Sequence, residues 1–179
     1  MKMTEKERIE LFSEIMNPCI PYRVHWETVG ILKDMGYFTA PASSHHHGNY
    51  EGGLFDHCFA VTKSLVSFTE RLELKWSKPG SPLIVGMFHD LCKVDDYQII
   101  DGRWEYKPIV TLPGHGEKSV MMVQQLIDIT DEELHCIRWH MGAYDAKENW
   151  DRLGAAIQKY PNVLYTHTAD MVANRILGV

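Results

Sequence analysis

Apolar residues recur at three- and four-residue intervals along most of this chain, and short stretches rich in glycine, proline and asparagine cut that rhythm into segments. The first segment runs from Thr4, a helix-capping residue type, to Met16 and stops at Asn17-Pro18, because proline cannot continue a helix. A second helix is predicted from Tyr22 to Met35, closed by Gly36. Between about Gly53 and Leu74, the residues Leu54, Cys58, Val61, Leu65, Phe68 and Leu72 form one apolar stripe, with His57 at its edge. Ser81-Pro82 starts another helix, since proline is favoured in a first turn. Its continuation, Leu83 to Phe88, is apolar on every side, which predicts a central position, and it leads straight into His89-Asp90.

The rhythm then changes. Tyr97 to Ile100 and Arg103 to Tyr106 flank Asp101-Gly102, a strong hairpin signal. A two-residue turn sets Ile99 opposite Trp104 and Tyr97 opposite Tyr106. Helical spacing returns from about Glu117 to Asp128. A capping box at Thr130 and Glu133 begins a helix ending near Met141-Gly142, and two more follow at Lys147 to Lys159 and Asn162 to Leu177. The expected fold is all-α with one small β-hairpin at about residues 97–106. A length of 179 residues suits a single domain over 1–179, with residues 1–44 as an N-terminal helical extension packed on it.

Composition narrows the function classes. No apolar run is long enough to span a bilayer, and the first residues lack the apolar core of a secretory signal, so a cytoplasmic location is expected. Cys19, Cys58, Cys92 and Cys136 are scattered without a C-x-x-C pair, as in a reduced protein rather than a disulfide framework. A net charge of −6 argues against a grip on long nucleic acid, which needs a basic face, but leaves a small phosphorylated substrate open.

Ten histidines are many for this length, and their placement says more than their number. His89-Asp90 ends a wholly apolar helix, where an unpaired carboxylate would be costly; it either meets a cation or emerges into solvent. On the last helix Tyr160, Val163, His167, Asp170, Asn174 and Leu177 share a face, so polar groups stand where packing residues are expected. A metal shared with His89-Asp90 would satisfy both placements; a buried Asp–His or Asp–Arg pair would satisfy only one. His57, His115 and His140 complete a series lying at helix ends or inward edges. Imidazoles with a few carboxylates suit divalent transition metals such as Mn, Fe, Ni, Co or Zn, and mixed sites of this kind keep open positions for catalysis.

In order, Gly52-Gly53-Leu54-Phe55-Asp56-His57, His89-Asp90-Leu91-Cys92-Lys93, Gly114-His115-Gly116-Glu117 and His167-Thr168-Ala169-Asp170 make an H…HD…D pattern. It resembles the HD superfamily of metal-dependent phosphohydrolases, from roughly residue 45 onward. It is most similar to the catalytic domain of YhaM-type exoribonucleases and their stand-alone bacterial and phage relatives, which also carry a histidine pair upstream. The resemblance implies an HD-domain helical bundle in which His57, His89, Asp90 and Asp170 hold one metal. His115 and His140 match positions holding a second, with Asp90 as the bridge, so two divalent metals are expected. The implied reaction is cleavage of a phosphoester of a nucleotide or short oligonucleotide by a metal-activated hydroxide, with Asp90 and Lys93 in the catalytic role. The alternatives are a non-catalytic metal-bearing nucleotide sensor and a 3′-5′ exonuclease on longer single strands.

Several roles stay two-sided on sequence alone. Lys93 could contact phosphate or aid the leaving group, or simply complement a helix end. His46 and His47 could touch substrate or belong to a polar loop. Lys118, Asn174 and Arg175 could bind phosphate or pack on the surface. His167 would orient Asp170 or a metal-bound water. The hairpin could be a flap with Tyr97 or Trp104 on a base, or a lid of the core.

Overall fold

The computed structural model describes residues 2–19, 23–45, 48–108, 112 and 114–179, with Trp26 described by its backbone alone. Helices α1 (Glu5–Met16), α2 (Trp26–Asp34), α3 (Gly53–Leu72), α4 (Ser81–Phe88) and the short α5 (Lys93–Asp96) precede the hairpin. Strands β1 (Tyr97–Ile100) and β2 (Arg103–Tyr106) form it, and α6 (His115–Gln124), α7 (Asp131–Arg138), α8 (Trp150–Lys159) and α9 (Asn162–Val172) complete the fold. Among the described residues the protein is thus mainly helical with one two-stranded sheet, as the periodicity predicts. No described helix is long and apolar enough to cross a membrane.

Local chemistry fixes the ends of these elements. Thr4 and Thr130 each accept a hydrogen bond from the backbone N–H three residues on, while Glu7 and Glu133 return the bond to the cap. These reciprocal pairs satisfy amides the helix leaves open. In the hairpin Asp101 and Gly102 both have positive φ, as the tight turn requires, and Ile99 pairs with Trp104 and Tyr97 with Tyr106. The face that carries Tyr97 and Ile99 is unevenly covered. Tyr97 is buried against the Tyr106 ring, whereas Ile99 is 63% exposed.

Two apolar clusters meet at α3 and α4. One gathers Phe12 and Met16 from α1, Leu32 from α2, Phe55 from α3 and Phe88 from α4, with Tyr37 and Phe38 between them. Phe12 meets the rings of Tyr37, Phe38 and Phe88 edge-on, the favoured aromatic geometry. The N-terminal 44 residues therefore share a core with the later helices. The second cluster joins Val61 and Leu65 of α3 and Val85 of α4 to Cys136 of α7, Ala156 of α8, and Val163 and Ala169 of α9. All four cysteines are buried free thiols.

The α3–α4 crossing is close because Gly86 has no side chain. A Cβ there would lie 2.6 Å from Thr62 Cα, inside the backbone of the facing helix. Gly86→Ala is expected to destabilise the fold by about 1–3 kcal/mol through overpacking, measurable by urea unfolding. Since α3 carries His57 and α4 ends at His89, the same change should spread those two rings.

Three helix boundaries differ from those the spacing predicts. The second helix begins at Trp26, and Tyr22, its expected first residue, lies outside the described residues. Helix α7 ends at Arg138, so His140 sits in the turn beyond it. The last helix does not run regularly to Leu177: α9 stops at Val172 and Ala173–Leu177 forms a π-helical turn. That turn removes Leu177 from the face of Asp170 and Asn174, and places it in a separate groove beside Phe59 and Phe68.

Candidate metal centre

His57, His89, Asp90, His140 and Asp170 converge where α3, the end of α4, the turn after α7 and α9 meet. His57, His89 and His140 are fully buried and Asp90 is nearly so. Burying a carboxylate beside three imidazoles is costly unless each polar atom is satisfied, so their partners decide what the group is for.

One nitrogen of each ring is accounted for by backbone. His57 Nδ1 lies 2.9 Å from Val179 O, His89 Nδ1 2.9 Å from Gly86 O, and His140 Nδ1 2.7 Å from Ile137 O. A backbone oxygen can only accept, so Nδ1 carries the proton in all three. In the neutral rings the Nε2 lone pairs then point inward, at one another and at carboxylates. His57 Nε2 and His89 Nε2 are 3.3 Å apart. Asp90 Oδ2 lies 3.5 Å from each, and Asp170 Oδ1 is 3.2 Å from His57 Nε2. His140 Nε2 approaches Asp90 Oδ1 to 3.2 Å, yet it is buried without a hydrogen-bond partner among the described residues.

Acceptors facing acceptors at these distances repel unless a cation lies among them. Ligands about 2.0–2.1 Å from a tetrahedral ion are about 3.4 Å apart. The separations here, 3.2 to 3.5 Å, fit that spacing. The buried His57, His89 and Asp90 group could therefore hold a metal ion, as could a second group of Asp90, Cys92 and His115.

Electrostatics divides the rings: despite burial, Asp90 and Asp170 hold the His140 ring above the usual imidazole range, whereas His89 goes the other way. Burial presses the His89 ring down to about 4, so it is a neutral imidazole near pH 7. Burial opposes ionisation of Asp90, but the Lys93 ammonium and the flanking His89 and His140 prevail and hold its carboxyl well below the usual range. Asp170 goes the same way, down to about 2, with His57 and His89 outweighing its burial. Lys93 Nζ is 2.7 Å from Asp90 Oδ2, and this contact keeps the lysine charged despite burial.

The remaining expected residues are placed unevenly. His115 opens α6 and is partly exposed, with Nδ1 3.3 Å from Cys92 Sγ and 3.7 Å from Asp96 Oδ2. Lys118 is buried, its ammonium 2.7 Å from Asp96 and 2.8 Å from Asp95, and it lines no part of the cavity over Asp90. A phosphate at Lys118 would have to displace two carboxylates, so the expected substrate contact gives way to a structural ion pair. His167 donates to or accepts nothing from Asp170; its Nδ1 lies 2.8 Å from His140 O, steadying the turn that carries His140. His46 and His47 lie outside the described residues.

A cavity of about 250 Å³ opens above Asp90, Lys93, His115 and Asp170. The hairpin contributes Tyr97 and Tyr106 to its wall, and the π-helical turn contributes Asn174 and Arg175. Comparison of the chain with protein-family models, curated proteins and solved structures returns no match. The reading of the site therefore rests on its geometry.

Cys92 escapes the sequence reading as a candidate donor. Its neighbour His115 lies 23 residues on, and no C-x-x-C spacing announces it. Asp96, which engages both Lys118 and His115, has no sequence signal beyond its nearness to Lys93.

Proposed function

We propose that this protein is an HD-type metal-dependent phosphohydrolase that cleaves a phosphoester of a nucleotide or short oligonucleotide. The observation that carries the reading is the inward convergence of His57, His89, Asp90 and Asp170, with backbone oxygens fixing the ring protons on the far side. Asp90 faces His57 and His89 through Oδ2 and His140 through Oδ1, which supports a bridging role between two divalent metals. His115, and Cys92 beside it, would complete the second position. A bound divalent metal supplies Lewis acidity and lowers the pKa of coordinated water.

The side chains around the site do the rest. Lys93 keeps its charge at the cavity floor and is placed to neutralise a phosphoryl oxygen or a leaving group. Arg175 and Asn174 face the same space and offer donors to phosphate oxygens. Tyr97 and Tyr106 provide an aromatic wall suited to a base. The cavity and the charge of −6 favour a small substrate over a long strand.

The test combines metal analysis with a substrate screen. Purified protein should carry stoichiometric metal and hydrolyse a phosphomonoester or phosphodiester with added Mn²⁺, while Asp90→Ala does neither. A metal-loaded wild type that matches Asp90→Ala on every substrate would leave a binding or sensing module in place of the enzyme. Metal removal has a separate signature. An ion present at a hundredfold excess over its Kd adds about 2.7 kcal/mol, so chelation should lower Tm by about 5–10 °C, reversed by re-addition.

A further inference from the structure

His89 and His140 find their Nδ1 acceptors locally, each in a carbonyl three residues earlier at a helix end. His57 cannot. It lies inside α3, where the preceding carbonyls serve the helix's own ladder. Its acceptor comes from 122 residues away: Val179 O, at 2.9 Å.

That oxygen is held in place by three features. The π-helical turn Ala173–Leu177 redirects the chain beyond α9. Gly178 then adopts φ +73, a left-handed conformation that favours glycine. Val179 N–H donates back to Ala173 O at 3.1 Å, and its side chain packs on the cluster shared by α3 and α9. We propose that the backbone oxygen of Val179 is a positioning group for the metal ligand His57, fixing its tautomer and ring angle so that Nε2 is presented to the ion. The inference rests on the metal reading above and adds the segment 178–179 to the working parts of the centre. Partners of this kind typically govern metal affinity by 10–100-fold.

The backbone origin of the contact gives a clean test. Val179→Ala keeps the oxygen, whereas a chain cut after Gly178 lacks it, and Gly178→Ala strains the turn that delivers it. Cobalt(II) affinity by chelator competition, the cobalt ligand-field spectrum and far-UV circular dichroism would be measured for all three. The expected result is about 10–100-fold weaker cobalt binding and an altered spectrum for the shortened chain. Gly178→Ala should show a smaller loss, and Val179→Ala wild-type behaviour. Wild-type affinity in both the shortened chain and Gly178→Ala would overturn the proposal while leaving the metal site standing. An equal loss in Val179→Ala would also overturn it, in favour of side-chain packing. A wild type that takes up no cobalt would overturn both this inference and the metal reading.

Discussion

On the proposed function, Asp90→Asn is expected to abolish metal binding and to lower phosphoester hydrolysis by at least about 100-fold, since outer partners of ligands alone are worth 10–100-fold. The substitution keeps the shape but removes the charge that faces His57 and His89 on one side and His140 on the other. A second effect is expected on stability. Lys93 is 12% exposed and its ammonium would lose the carboxylate 2.7 Å away, so the metal-free variant should be less stable by about 3–5 kcal/mol. Asp90→Asn/Lys93→Met should recover most of that stability and none of the metal. Urea unfolding and metal analysis on the same samples separate the two roles. Wild-type metal content in Asp90→Asn would remove Asp90 from the centre.

Arg8→Ala should have the largest effect on stability away from the centre, about 3–5 kcal/mol. Arg8 belongs to α1, yet it is 2% exposed and donates from Nε to Asp56 Oδ1 at 3.1 Å and from Nη2 to Glu51 O at 3.2 Å. Tyr50 donates to the other Asp56 oxygen at 2.9 Å. Removing the guanidinium leaves a carboxylate without its counter-charge next to His57 in the chain. Arg8→Met/Asp56→Leu should regain part of the loss, because no charge is then stranded, though Tyr50 still lacks its acceptor. Equilibrium denaturation of the single and double variants measures this. A loss under 1 kcal/mol for Arg8→Ala would mean the pair contributes as a solvent-exposed one does.

The sequence spoke most clearly where local chemistry decides structure. Capping boxes at Thr4 and Thr130, the Asp101-Gly102 turn with its register, and the apolar stripe of α3 from Leu54 to Leu65 all follow from neighbouring residues, and the structure contains each, although Leu72 at the end of the expected stripe is exposed. The candidate centre was legible for a different reason. Each histidine or aspartate alone has a bland explanation, but they recur in order at helix ends and inward edges, and the fold brings His57, His89, Asp90, His140 and Asp170 together.

Features set by tertiary packing were not legible. Lys118 reads as a surface cation until Asp95 and Asp96 are seen facing it. Cys92 reads as a small apolar residue until the start of α6 puts His115 beside it. The π-helical turn was not legible because the sequence spacing of Asp170, Asn174 and Leu177 fits a regular helix, and only the wider turn shifts Leu177 off that face. His167 shares a face with Asp170, but its ring is taken by the carbonyl of His140 from another segment.

The proposed ligands are drawn from widely separated parts of the chain, from His57 in α3 to Asp170 in α9. An ion held there would act as a late rivet. Its bonds need all of those segments docked, so they contribute little to the folding transition state and fully to the native state. Metal would then leave the rate of folding nearly unchanged and slow the rate of unfolding. The bound protein would owe its persistence to a kinetic barrier, with lifetime rather than folding speed tracking the supply of ion.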